Sequence, residues 1–277
     1  AKFDAQWTDD WHHCVHVLLT GEHEGYYGDF SDPAAQLARC LAEGFAYQGE
    51  PSAHACGKAR GTHSAHLPPT AFVICLQNHD QIGNRAFGDR LTKLAKPEAL
   101  RAAIALLLFT PQIPMLFMGE EFFSTTPFLF FTDHNKELGK LVTEGRRKEF
   151  AHFAAFSDPE TREKIPDPNA AATFNASIPT PERNAGFDFY KSLLGLRRSH
   201  IVPRMDGCTS IGAQALSQAA VHASWRMNDN STLTIAANLG AAPIAYTSPH
   251  EKPLFTTTPL PSDALPPFTT SIWLTQS

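Results

Sequence analysis

Residues 72–91, FVICLQNHDQIGNRAFGDRL, decide how this chain is read. The run 72–76 is apolar with a β-branched centre, the pattern of a buried strand. Four polar residues, Gln77, Asn78, His79 and Asp80, follow at its C-terminal end. In parallel α/β architectures that end carries the chemistry, because the loops there converge on one cleft. Gly83 permits a sharp turn just beyond, and Arg85, Asp89 and Arg90 add charge. A carboxylate beside an imidazole at such a place reads either as a reaction centre or as a satisfied loop network. The residue types alone do not separate the two.

The rest of the chain sets bounds. Its 277 residues suit one large domain or up to two ordinary ones. Hydrophobic residues make up 43%, enough to fill a core. A net charge of −5 argues against a nucleic-acid partner. No apolar run approaches the roughly 18 residues that span a bilayer, so no membrane partner is expected. Residues 1–10 lack the apolar centre of a signal peptide. The five cysteines are odd in number and form no C-x-x-C. They read as reduced thiols of a cytoplasmic protein.

In chain order, residues 3–7 alternate apolar and polar, as a short strand does. Asp9 or Asp10 then caps a helix that Gly21 ends. His12 and His16 are spaced i, i+4, which suits a metal site or the polar lining of a cleft. No H-E-x-x-H occurs. A helix is expected over 33–44, a long unpatterned loop over 47–69, and a deeply buried helix from Pro97 to Thr110. An apolar strand over 115–118 leads into Gly119-Glu120-Glu121, which completes a βαβ pattern. Glu120 and Glu121 serve either as acid/base groups or as ion-pair partners of Arg146 or Arg147. Phenylalanines 122, 123, 128, 130 and 131 form either a sugar-stacking platform or core. A last helix is expected over 187–200. Beyond it the pattern turns to β, with strands over 220–227 and 232–237 around Asn228-Asp229-Asn230 and a final strand over 270–274. The reading gives two domains, 1–200 and 201–277.

At residues 72–91 a resemblance becomes specific. The segment resembles the fourth conserved region of glycoside hydrolase family 13, the α-amylase clan. Its extended form QNHDQIGNRAFGDRL is similar to the malto-oligosyltrehalose trehalohydrolase family within that clan. So are DAQWTDDWHHCVHVLLTGEHEGYYGDF at 4–30 and PMLFMGEEFFSTTPFLFFTDH at 114–134, with EGRRKEF and TFNAS more loosely. The implied fold is α/β: about the last three βα units of a (β/α)8 TIM barrel, followed by a small all-β domain. Residues 1–7, 72–76 and 115–118 would be barrel strands six, seven and eight.

The resemblance also implies an activity, hydrolysis of the α-1,4 bond next to the terminal trehalose of maltooligosyl trehalose. It casts Asp80 as the transition-state stabiliser. It casts Asp9, Asp10, Trp11, His12, His13, His79, Gln81, Ile82, Gly83 and Asn84 as substrate contacts. The nucleophile and general acid of the clan lie on earlier strands, outside this sequence. The expectation is therefore a chain inactive alone that needs an N-terminal barrel half, with no metal and no cofactor. The runners-up are a glycogen-branching or debranching enzyme and a non-catalytic maltooligosaccharide-binding remnant.

Overall fold

The computed structural model describes residues 3–152, 158–249 and 252–276. The chain divides into two compact units. One joins Ala1–Leu76, Ala95–Met115 and Phe189–Ser277; the other joins Gln77–Leu94 and Leu116–Asp188.

The first unit holds a three-stranded parallel sheet. Its strands are β1 (Gln6–Trp7), β2 (Phe72–Ile74) and β3 (Ile113–Pro114), in that order. Gln6 lies opposite Phe72, and Val73 opposite Ile113. The eighth-strand expectation over 115–118 is corrected: the pairing begins two residues earlier. Met115 of that run still bonds to the neighbouring strand segment, its N–H donating to Ile74 O at 2.8 Å. The order and sense of the strands are those of the expected βαβ unit.

Helix α1 (Asp9–Thr20) follows β1, and α2 (Pro33–Glu43) follows α1. Neither aspartate caps α1; Thr8 holds the N-cap position and both acids sit in the first turn. Asp32 caps α2 by accepting from Ala35 N–H, with Pro33 at the first helical position. Gly44 ends α2 at φ +93°, where an added Cβ would lie 2.1 Å from the Phe72 ring. Both the backbone angle and the space require glycine there.

Helix α3 (Pro97–Phe109) is apolar all round, and residues 102–109 have no exposed surface. Its terminal carbonyls need partners inside the protein. Arg197 supplies them, donating to Leu108 O at 2.8 Å, Thr110 O at 2.6 Å and Gln112 O at 3.0 Å. Burial pulls the Arg197 guanidinium down to about 10, so it stays charged at neutral pH.

The all-β part is a five-stranded sheet. Its strands are β4 (Thr209–Ser217), β5 (Ala220–Arg226), β6 (Thr232–Asn238), β7 (Phe255–Thr256) and β8 (Thr269–Thr275), in spatial order β7-β8-β6-β5-β4. All its pairings are antiparallel. Strand alternation sends Trp225, Leu233, Ile235 and Ile272 to one buried face. Thr270 donates from its hydroxyl to Ala102 O at 2.8 Å, which pins this face to α3.

The second unit contains the one-turn helix His79–Gly83, helix α4 (Lys136–Glu149) and most of the phenylalanine-rich stretch. Helix α4 left no apolar periodicity in the sequence, because only Gly139 and Arg146 of its residues are buried. The helix expected over 187–200 is α5 (Ala185–Leu196), continued by a wider turn over Arg197–Ile201.

Candidate active site

The turn after β2 is built by its own polar residues. Asn78 accepts from Asp80 N–H at 2.8 Å through its side chain, and Gln81 Oε1 accepts from Asn78 N–H at 3.0 Å. This reciprocal pair is a capping box, and it fixes the entry to His79–Gly83. Behind the turn, Ile82 and Gly83 are buried. Arg146 holds the far side, donating to Gly83 O at 2.6 Å and Arg85 O at 3.0 Å while stacking on Phe130. Gln81 therefore shapes the turn, and Ile82 and Gly83 anchor it.

Two side chains of the turn face solvent. His79 and Asp80 are 53% and 65% exposed, with Nε2 3.5 Å from Oδ1. Asn84 is exposed too, and its N–H closes the turn onto Asp80 O at 2.9 Å. A carboxylate and an imidazole held side by side on a rigid turn can grip two neighbouring hydroxyls of one sugar.

Glu120 and Glu121 do not pair with Arg146 or Arg147. Arg146 serves the Gly83 turn, and Arg147 donates to Glu163 O at 3.2 Å. Glu120 is buried, and its Oε2 accepts from Phe117 N–H at 3.2 Å. Burial raises its carboxyl to about 8, so it is largely protonated at neutral pH. Gln77 Oε1 accepts from Leu91 N–H at 3.0 Å. Arg90 donates to Thr126 O at 2.5 Å and to Met118 O, the last carbonyl of the 115–118 run, at 2.8 Å. Of the phenylalanines of this unit, Phe122 is packed inside whereas Phe131 is 36% exposed. Phe128 meets Phe117 and Phe131, and Phe131 meets Phe174.

In the first unit, the residues expected as substrate contacts on α1 have protein partners. Asp9 is exposed. Asp10 is 2% exposed and accepts from Ala46 and Tyr47 N–H, both at 3.0 Å, besides pairing with Arg60. Trp11 has no exposed surface. His12, equally buried, sets Nδ1 2.6 Å from Leu76 O and Nε2 3.2 Å from the Tyr27 hydroxyl. His13 is packed among the rings of Tyr26, Tyr27 and Phe30. Burial lowers its imidazole to about 3, with the Arg60 charge adding to the effect.

Both nitrogens of His12 are engaged, so the His12 and His16 spacing does not make a metal pair. Nor do the described residues hold any group of three metal-ligating side chains. His16 instead meets Glu22 at 2.7 Å and stacks on Tyr27.

Sequence reasoning missed Arg60 and Asp29. The unpatterned loop is folded onto them: Arg60 reaches Asp10 and lies 3.7 Å from Asp29, which accepts from Ser52 at 2.5 Å and His54 N–H at 2.9 Å. A lone arginine in a Gly/Ser/His-rich run carries no local signal for such a role.

Comparison with known proteins bears on the family. A trehalohydrolase of Deinococcus radiodurans, named malto-oligosyltrehalose trehalohydrolase, is 45% identical over 204 residues, covering 70% of this chain and 33% of the relative. The namesake of Mycobacterium tuberculosis is 34% identical over 250 residues, covering 86% of this chain and 41% of the relative. The chain is similar to the C-terminal portion of the malto-oligosyltrehalose trehalohydrolases. It spans about a third to two fifths of the length of these curated relatives. A crystal structure from Salmonella typhimurium, described as a candidate alpha amylase, superposes with a TM-score of 0.88 at 42% identity. It covers 99% of this chain and 47% of that one. Residues 208–273 match a family model described as a domain of unknown function, DUF3459. The parallel strands and the antiparallel sheet are thus the C-terminal part of an α-amylase-type barrel and its all-β domain, as the trehalohydrolase resemblance implied.

Proposed function

We propose that this chain carries the third acid, Asp80, of a retaining glycoside hydrolase that releases trehalose from maltooligosyl trehalose. The observation that carries the reading is the exposed His79–Asp80 pair on a turn made rigid by Asn78 and Gln81. Asp80 binds hydroxyls of the distorted sugar ring and stabilises the developing positive charge; His79 hydrogen-bonds the same sugar. A retaining mechanism also needs a nucleophile and a general acid about 5–5.5 Å apart. In this proposal those two lie on barrel strands outside the present sequence, so the chain alone does not turn over. Its partner is then an N-terminal barrel half, and its compartment the cytoplasm, which its free cysteines suit. The proposed domain boundary falls near residue 200.

Within this reading, Asn84 joins His79 and Asp80 as a direct substrate contact, and the exposed Asp9 is a proposed contact of the first unit by the family resemblance alone. Asp10, Trp11, His12, His13, Gln81, Ile82 and Gly83 shape the surfaces that present them. The test is trehalose release from maltotriosyl trehalose. The purified chain alone should release none, and the chain joined to the N-terminal part of the Deinococcus relative should release it in an Asp80-dependent way. Release by the chain alone, or Asp80-independent release by the hybrid, would overturn the proposal. Binding without turnover in the hybrid would favour a maltooligosaccharide-binding remnant instead.

A further inference from the structure

The phenylalanine-rich stretch ends on rings that core packing does not account for. Phe131 is 36% exposed, and Phe174, on the short helix Ala171–Ala176, is 48% exposed. One exposed apolar side chain is ordinary; a contiguous group marks a surface that meets a ligand or a partner. These two rings touch edge to face, centroids 5.1 Å apart and planes at 84°. The fold holds them in place. Leu129 N–H donates to Ser177 Oγ at 3.0 Å, Thr132 N–H to Pro168 O at 2.8 Å and the Thr132 hydroxyl to Asn169 Oδ1 at 2.7 Å. The strap that carries Phe131 is thus fixed on both sides to the segment 168–177 that carries Phe174. A surface ordered in advance loses little freedom when it binds.

The other end of this row of rings reaches the His79–Asp80 turn. Phe131 meets Phe128 at 5.6 Å, and the Phe128 ring lies against Gly83, where an added Cβ would sit 3.6 Å from it. Phe128 N–H also donates to Gly88 O at 3.0 Å. Between them, Phe130 stacks under the Arg146 guanidinium that donates to Gly83 O. Contacts therefore run unbroken from the turn to Phe174, all within the second unit.

We propose that Phe131 and Phe174 are a stacking subsite for an α-1,4-glucan chain, taking glucose units beyond the one held by His79 and Asp80. The inference rests on the proposed function for the identity of the sugar at the turn. A glucose ring presents C–H faces above and below a girdle of hydroxyls. The C–H faces match phenyl rings, and the hydroxyls match the exposed Asp133, His134 and Asn175 that flank those rings in sequence. Continuity with a carboxylate–imidazole pair favours such an amphipathic chain. A purely apolar protein segment has no use for those polar neighbours.

The test is titration of the purified chain with maltose and with maltoheptaose, followed by NMR. Wild type should bind maltoheptaose at least about tenfold more tightly than maltose, which is too short to occupy both the turn and the rings. The double variant Phe131→Leu, Phe174→Leu keeps apolar bulk but has no flat face. It should lose about tenfold for maltoheptaose and leave maltose unchanged. Phe174→Trp keeps a flat face and should bind maltoheptaose at least as tightly as wild type. No binding of maltoheptaose by wild type, equal affinity in the double leucine variant, or the same loss in Phe174→Trp overturns the inference. If the double variant does not fold, Phe174→Leu alone decides, because that ring is already half in solvent. Failure of the proposed function reads differently. Phenylalanine-dependent maltoheptaose binding with no Asp80-dependent trehalose release by the hybrid keeps the subsite and removes the hydrolase reading. Asp80-dependent release with leucine variants that bind as wild type does removes the subsite alone.

Discussion

The imidazole Nδ1 of His12 lies 2.6 Å from the carbonyl oxygen of Leu76, tying helix α1 to the residue that ends the apolar run after β2. Neither group has access to water at this depth: His12 has no exposed surface and Leu76 1%. The bond therefore satisfies a carbonyl at the strand end that would otherwise be buried alone. Replacing His12 by Leu should cost about 1–3 kcal/mol of stability, the price of one orphaned buried polar group. Denaturant unfolding of the purified chain measures it, and a loss under about 0.5 kcal/mol would show that the bond is dispensable.

The same histidines set an acid limit. Burial lowers His12 well below its ordinary value and His13 to about 3, against 6.5 when unfolded. Between those values the unfolded chain binds more protons, so stability falls as pH drops from about 6.5 toward 3. The midpoint of thermal unfolding should decline across that window, and His13→Phe should flatten part of the decline.

Glu120 acts in the opposite direction. Its carboxyl is at about 8 when folded and 4.5 when unfolded. The folded chain therefore binds the extra proton, and this group's contribution fades as pH rises from about 4.5 to 8. Glu120→Gln should be more stable than wild type at pH 8 and should differ little from it at pH 4. Equal melting curves at pH 8 would refute the assignment of a buried, neutral carboxyl.

Arg60 offers a test of the loop. It reaches both Asp10 and Asp29, and it lies over the rings of Phe30 and Tyr47 at 5.6 and 5.0 Å. Arg60→Ala leaves two buried carboxylates without their cation, which should cost about 3 kcal/mol. Limited proteolysis should then cut within 44–64 well before the wild type is cut. Asp10→Asn should restore part of that protection by removing one of the two charges.

Asp80→Ala separates function from fold. The side chain is 65% exposed, so its loss should change stability by less than about 0.5 kcal/mol. In the hybrid that carries the N-terminal barrel half, the same change should remove trehalose release. A substantially destabilised variant would mean that Asp80 is structural and would leave the proposed chemistry without its acid.

How much of this was legible in the sequence differs from element to element. Helix α3 was readable because its residues are apolar on every face and proline and threonine mark its ends. The β5–β6 hairpin was readable from strict alternation around Asn228-Asp229-Asn230. Helix α4 was not, because a helix with almost no buried face leaves no period to find. The strand over 115–118 was misplaced because an apolar run looks the same whether its carbonyls pair with a strand or with the Arg90 guanidinium. At the site, the strand-end position of His79 and Asp80 could be inferred, whereas the partners of Asp10 lie 36 and 37 residues away and could not.

By itself the sequence determined where apolar runs stop and polar groups begin, and so where most of the buried strands and helices, and the polar turn after β2, fall. Those are local properties, set by side-chain size and backbone preference within a few residues. Only the tertiary structure decided which polar side chains face solvent and which are consumed inside. That depends on distant carbonyls and amide groups, such as Leu76 O for His12 and Tyr47 N–H for Asp10, whose unmet hydrogen bonds cost enough when buried to capture whatever side chain can reach them.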